Sequence, residues 1–399
     1  MKKVITLCIL CCVLSINAQI SPVLLNQNIA DYEIFPQSIV YYNGEIYISD
    51  FFENRIIKTS ATTNDAPVIE VVTNLNFPRG LQLIGDELYF LQISTTANPS
   101  NDSGKLSKID LTQNSPSVID VFSGLNIPNA LTGDSNTLYI SEIIGDFVSD
   151  DIDGLEIQST SISKIDLIGT PAKTVLFQNR GFVADMKLNG SDLYWFEEFE
   201  DTDRIMKTQI DNENPTAEEY YSTGDDFPDR MIINNNFLFY TCIESEGDNE
   251  FGVIKTIDLN QTQVEARIIS NSFSYNAGDL YLGALVINGN DLFVSASSYN
   301  SNTDEESELL YQLDISTLSV DEINQPNLTI QFYPNPAVSE VHFNREIGEL
   351  KIFDIGGKQV TSFNKKSTSF DISSLQEGVY LLKGKTDKNI YFYKKLIKK

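Results

Sequence analysis

Chemistry in this chain must run without histidine over most of its length. The one imidazole, His342, lies near the C-terminus. Between Gln19 and Val341 nothing can serve as the base of a Ser-His-Asp or Cys-His arrangement, or as a histidine ligand to zinc. Carboxylates, tyrosines and lysines are left for acid–base work, and carboxylates for divalent cations. The stretch DLYWFEEFEDTDRIMKTQID (192–211) holds the only tryptophan, Trp195, with Glu197, Glu198, Glu200, Asp201 and Asp203 beside it. A second acidic stretch, SDDIDG (149–154), sets Asp151, Asp153 and Gly154 in the order of a calcium loop. Its twelfth position is Thr160 where an EF-hand needs glutamate, so a solvated acidic loop is the first reading and calcium the alternative. Phosphate-binding glycine loops are absent.

The charge balance narrows the partners. Residues 327–399 carry twelve basic and seven acidic side chains, whereas Gln19 to Pro326 carry fourteen basic against 49 acidic. Such a surface repels nucleic acid and anionic membranes. It suits solvation, or divalent cations. The first residues point outward from the cell. MKKVITLCILCCVLSINA (1–18) reads as a secretory signal, with Lys2 and Lys3 ahead of an apolar run and cleavage after Ala18. Leu10 before Cys11 departs from a lipoprotein pattern. Only Cys242 remains beyond the signal, so no intrachain disulfide can form and packing must supply stability. No later segment is long and apolar enough to span a bilayer.

The elements that position these groups repeat. IYISDF, LYFLQI, LYISEI, LYWFEE, LFYTCI and LFVSAS place an aromatic residue at Tyr47, Tyr89, Tyr139, Tyr194, Phe239 and Phe293. Twelve residues before each stands Phe35, Phe77, Ile127, Phe182, Phe227 or Tyr281. Between them an apolar run meets a Gly/Asn/Asp turn, as in YNGE, IGDE and NGSD. This offset in six copies predicts six hairpins of fixed register. A third strand follows in every copy and a fourth in five, at a spacing of 42 to 55 residues, the signature of propeller blades. The sixth copy lacks its fourth strand, and PVLLNQN (22–28) has the matching layout, so the N-terminal strand completes the last blade. The repeating tyrosines and Trp195 read as packing between blades, with carbohydrate stacking as the alternative.

In this fold the starts of the inner strands ring the central channel. They supply Gln37, Arg79, Asn129, Asp185, Asp229 and Arg230, and Asp50, Glu142 and Glu197 at second-strand ends can add carboxylates to the channel mouth. Two roles are open to this ring: ion pairs that brace neighbouring blades, or a ligand site. The loops between second and third strands, among them EIIGDFVSDDIDG, EEFEDTD and YNSNTDEESE, make the same face acidic.

NGEIYISDFFENRIIK resembles an NHL-type repeat, and LYWFEEFEDTDRIMKTQID resembles a YWTD-type blade. Both resemblances imply a six-bladed β-propeller, over roughly residues 19–316. From Leu328 the pattern changes, after a linker at 317–327. The segment 328–399 closely resembles the type A C-terminal sorting domain of the type IX secretion system of Bacteroidetes. Tyr333, Pro334, Asn335 and Pro336 form its YPNP element, Gly356 and Gly357 its glycine turn, and Gly378 and Tyr380 belong to its GVY element. The resemblance implies a small Ig-like β-sandwich read by the export machinery, and a surface or secreted location. The chain is thus expected to be all-β and exported, acting as a binding module without a required cofactor. The alternative is a calcium-dependent hydrolase of the lactonase or gluconolactonase type, with Asn129, Asp185 and Asp229 near the cation. The first blade has no acidic residue at the matching position, which departs from that pattern.

Overall fold

The computed structural model describes residues 19–27, 29, 38–93, 104–147, 155–199, 202–224, 226–246, 249–262, 264–274, 279–300, 305–316, 318, 332–354, 358–363, 365–386 and 391–399. The expected signal (1–18) and, Leu318 apart, the expected linker (317–327) lie outside them. The chain divides into two compact units between Ile315 and Ser316.

The first unit is a six-bladed propeller, each blade a four-stranded antiparallel sheet. From the channel outward, blade one is Ile39–Tyr42, Glu45–Asp50, Arg55–Ser60 and Ile69–Val72. Blade two is Arg79–Ile84, Glu87–Gln92, Gly104–Asp110 and Ile119–Leu125. Blade three is Pro128–Gly133, Thr137–Phe147, Leu155–Asp166 and Ala172–Arg180. Blade four is Phe182–Asn189, Asp192–Phe199, Thr202–Gln209 and Glu218–Gly224. Blade five is Met231–Asn234, Phe237–Glu246, Asn249–Asp258 and Arg267–Ser270. Blade six is Asp279–Asn288, Asp291–Asn300 and Glu305–Asp314, with Val23–Asn26 as its outermost strand.

Local chemistry sets the hairpins. Asn43 and Gly44 hold φ of 49° and 86°, and Asn235 and Asn236 hold 50° and 64°. These left-handed pairs form the two-residue turns whose twist matches paired strands. Second strands are buried on both faces, because each blade is sandwiched between two others. The aromatic of five repeats fills a junction. Tyr47 packs with Leu81 and Leu88 of blade two, Tyr89 with Leu131 and Leu138 of blade three, and Tyr139 with Trp195 of blade four. Tyr194 joins Met231 and Tyr240 of blade five. At the closure, Leu25 and Phe293 of blade six pack against Ile46 and Ile48 of blade one.

Polar ties reinforce the apolar junctions. The position three residues after the repeat aromatic is Asp50, Gln92, Glu142 and Glu197 in blades one to four, and all four are buried. Asp50 accepts from Arg55 at 2.6 Å, and burial pushes its carboxyl up against the pull of that guanidinium. Gln92 accepts from the Asn76 N–H at 3.0 Å and donates to Ser107 at 2.8 Å. Glu142 accepts from the Asn126 N–H, the Ser163 hydroxyl and Lys173. Glu197 is the densest of these. Arg180, from the outer strand of blade three, reaches both its oxygens at 2.8 Å, and Arg204 and the Trp195 indole N–H each reach it at 2.9 Å. The carboxylate that opened the acidic loop is therefore a clasp between blades three and four.

The second unit is one six-stranded sheet folded on itself. The long strand Glu340–Asp354 pairs with Phe332–Tyr333 and Ser367–Asp371 near its start, and with Gln359–Phe363 and Gly378–Thr386 near its end. Tyr391–Lys398 completes the second layer. Between the layers lie Val341, Phe343, Leu350, Ile352, Phe370 and Leu382. This is a small Ig-like sandwich.

Two outcomes follow from these contacts. Deleting residues 19–26 strips the outer strand from blade six and should lower Tm by roughly 5–10 °C in a thermal melt. Glu197→Gln leaves Arg180 and Arg204 without their shared counter-charge. It should cost about 3 kcal/mol in chemical denaturation, since one partner of a buried ion pair is removed.

Candidate functional site

The inner strands bring their first residues to the channel wall, around a cavity of about 190 Å³ lined by Ser38, Gly80, Asn129, Asp185, Lys187 and Arg230 among others. Gln37 lies outside the described residues. Blades one to six are stitched in succession at this level, across five junctions. The Leu81 N–H donates to Ser38, and Arg79 donates to the Asn129 side-chain oxygen at 2.8 Å. Asn129 donates in turn to the Val183 carbonyl at 2.9 Å. Asp185 accepts from the Met231 N–H at 2.9 Å, and Thr241 donates to the Gly283 carbonyl at 3.1 Å.

The charged groups of the ring pair within blades. Asp185 holds Lys187 at 2.8 Å, and Asp229 holds Arg230. Desolvation raises the Asp229 carboxyl, Arg230 pulls it back down and Asp185 adds to the rise. Arg79 meets no carboxylate among the described residues; its polar partner is Asn129. Gly80 beside it takes φ of 60°, and a Cβ there would stand 3.0 Å from Leu131, so the backbone comes close to blade three. The Arg79 guanidinium lies 4.4 Å from the centre of the Phe51 ring. Burial and the neighbouring Arg230 lower its pKa to about 9. Its Nε is buried without a hydrogen-bond partner among the described residues.

Asp50, Glu142 and Glu197 do not extend this ring. Each is sealed within the junctions described above, held by Arg55, Lys173 and the Arg180–Arg204 pair respectively. The three oxygen-bearing residues of the calcium reading are likewise engaged: Asn129 by Arg79, Asp185 by Lys187 and two backbone N–H groups, Asp229 by Arg230. No group of three or more His, Cys, Asp or Glu side chains suited to a metal occurs among the described residues. Asp151 and Asp153 lie outside them. On the acidic face, burial and the charges of Glu198 and Asp226 push the Asp203 carboxyl up to about 6.

A second cavity, of about 250 Å³, opens between blades five and six. In these blades the tie position is Cys242 and Ala296 in place of the acidic or amide residues of blades one to four. Neither can clasp a neighbour, and both line the cavity. Burial pushes the Cys242 thiol up to about 12, so it is a neutral wall. The leading hydrophobes also part company here. Phe77, Ile127 and Phe182 join Phe51, Ile93 and Ile143 in an apolar cluster. Phe227 is 64% exposed and Tyr281 37%, and both line the cavity with Arg230. Phe77 and Phe227 share a strained φ of 43°. Packing against Phe51 at 4.9 Å between ring centroids offsets the strain at Phe77, whereas Phe227 carries it in the open. Sequence reasoning passed over this cavity. Its signal was available as the break from Asp, Gln, Glu and Glu to Cys and Ala at one register position.

In the second unit the YPNP element is anchored by Asn335. Its amide donates to the Lys395 carbonyl at 2.9 Å and its oxygen accepts from the Ile397 N–H at 2.8 Å. The peptide bonds before Pro334 and Pro336 are cis. Tyr333 is exposed beside His342. Tyr380, two residues after Gly378, donates to the Gln376 carbonyl. Gly356 and Gly357 lie outside the described residues.

Residues 331–399 match the family described as the secretion system C-terminal sorting domain. No curated protein matches the chain in sequence. Among solved structures, the propeller is similar to a luciferin-regenerating enzyme at 11% identity, covering 73% of this chain and 95% of that one with a TM-score of 0.50. It is similar to the PQQ-bound aldose sugar dehydrogenase of Streptomyces coelicolor at 13% identity, with coverage of 73% and 98% and a TM-score of 0.48. A putative glucose dehydrogenase of Thermus thermophilus matches at 12% identity, with coverage of 74% and 100% and a TM-score of 0.45. Identities this low speak for the fold alone. The chain is a six-bladed β-propeller followed by a type IX secretion sorting domain, which marks it for export to the cell surface or the medium.

Proposed function

We propose that this protein is an exported binding module that takes a small ligand on the face carrying the channel mouth. Residues 1–18 act as its signal and are removed after Ala18, and the sorting domain hands the folded chain to the type IX machinery. One observation carries the reading. In blades one to four the tie position is a buried Asp, Gln or Glu, and in blades two to four the leading hydrophobe joins an apolar cluster, whereas blades five and six place Cys242 and Ala296 at the tie position and Phe227 and Tyr281 outside that cluster. The result is a cavity with exposed aromatic walls, Phe227 and Tyr281, beside the Asp229–Arg230 pair. Exposed aromatic faces next to hydrogen-bonding groups are the composition of a ligand pocket. A backbone strained at an exposed phenylalanine fits a residue kept for contact with a ligand.

Filling the cavity tests this. A panel of sugars, amino acids and short peptides should contain a compound that raises wild-type Tm by about 5 °C at a hundredfold excess over its Kd. Ala296→Leu should abolish that rise while leaving the unliganded fold intact. Indifference of the ligand to Ala296→Leu would move the site elsewhere. Millimolar calcium should leave Tm unchanged, because the candidate oxygens already accept from cations and N–H groups. A calcium-dependent rise in Tm that Asp185→Ala removes would favour the calcium-dependent hydrolase instead.

A further inference from the structure

Arg79 is out of keeping with the other cations of the propeller. Arg55, Lys173, Arg180, Lys187, Arg230 and Lys255 each meet a carboxylate. Arg79 meets none among the described residues. Its polar partner is the neutral side-chain oxygen of Asn129, its planar face rests on Phe51, and its Nε is buried without a partner. An amide and a ring return part of what a guanidinium loses on leaving water, but not the whole of it.

The surroundings sharpen the imbalance. Among the described residues the inner strands carry three cations here, Arg79, Lys187 and Arg230, against two carboxylates, Asp185 and Asp229; of these Asp185, Lys187 and Arg230 line the cavity. Both carboxylates are already taken, by Lys187 and Arg230. One positive charge among these, that of Arg79, is left over beside a cavity of about 190 Å³. Asn129 and Gly80, which flank Arg79 in space and in sequence, both line that cavity. A space of this size is below that of drug-sized ligands and suits a small molecule.

We propose that the channel binds a small anion, bearing a carboxylate or phosphate group, with Arg79 as its counter-charge and Arg230 as a second donor. A planar guanidinium fork matches either group in a bidentate way. The inference rests on the binding-module reading and names the chemistry of a ligand for its channel. It also accounts for the contrast between a strongly acidic exterior and a channel wall with positive charge in excess. The acidic loops discourage anions from binding at random, so recognition is confined to the interior.

The test uses the chain from Gln19 to Lys399 and two probes, sodium phosphate and sodium succinate, in isothermal titration calorimetry at neutral pH. Saturable binding of one or both is expected, and the probe preferred separates phosphate from carboxylate ligands. Arg79→Met should weaken binding about ten- to hundredfold, the worth of a charge-assisted hydrogen bond. The same variant should melt at or above the wild-type temperature, because it removes an unpaired cation. Arg79→Lys keeps the charge without the fork and should fall between the two. Absence of saturable binding by either probe would overturn the proposal, as would unchanged affinity in Arg79→Met. Collapse of the Arg79→Met fold would overturn it too, by making Arg79 a structural brace. Should the anions fail while a neutral compound still distinguishes the wild type from Ala296→Leu, the anion inference falls and the binding module stands.

Discussion

A blade whose two faces are both apolar cannot exist alone. Each second strand of this propeller is buried on both sides, and the partner on each side is another blade with the same need. The only arrangement in which every blade is satisfied is a closed ring, so closure is the condition for all the other contacts. Here closure is made by Val23–Asn26 pairing with Glu305–Asp314, and by Asn26 reaching across to Thr59 and the Ala66 carbonyl of blade one. Without a disulfide, this non-covalent seam and the junction cores hold the two ends of the propeller together.

Closure also decides where the molecule can vary. A junction fixed by a clasp such as Glu197 with Arg180, Arg204 and Trp195 has no room for a ligand. A junction that relies on small residues does. The channel wall shows the same economy: its hydrogen bonds run from blade to blade, and among the described residues Arg79 enters them without a carboxylate partner. Function in a repeat protein is best sought where one copy abandons the device that its siblings share.

Much of this architecture was legible in the sequence. The twelve-residue offset between Phe77 and Tyr89, or Phe182 and Tyr194, became the hairpin register because one slipped residue would turn every buried side chain to the wrong face. The YPNP and GVY elements identified the sorting domain because they are dense, ordered and local. The destinations of Asp50, Glu142 and Glu197 were not legible. A carboxylate at a strand end looks alike whether it faces a channel or a neighbouring blade, and what decides is the position of Arg180 or Lys173, many residues away in the chain. The cavity between blades five and six was hidden for a different reason. It consists of what Cys242 and Ala296 fail to do, and an omission shows only once the repeats are stacked against each other.

The order of elements along the chain has a consequence for biosynthesis. The strand that seals the ring is the first to be made, and its partner Glu305–Asp314 is the last of the propeller, directly ahead of the sorting domain. A ribosome that stops early yields a chain with neither the sealing partner nor the export address. Every chain that bears the address therefore already contains all the strands of a complete ring. An address that follows the propeller in the chain is joined only to rings whose strands have all been made.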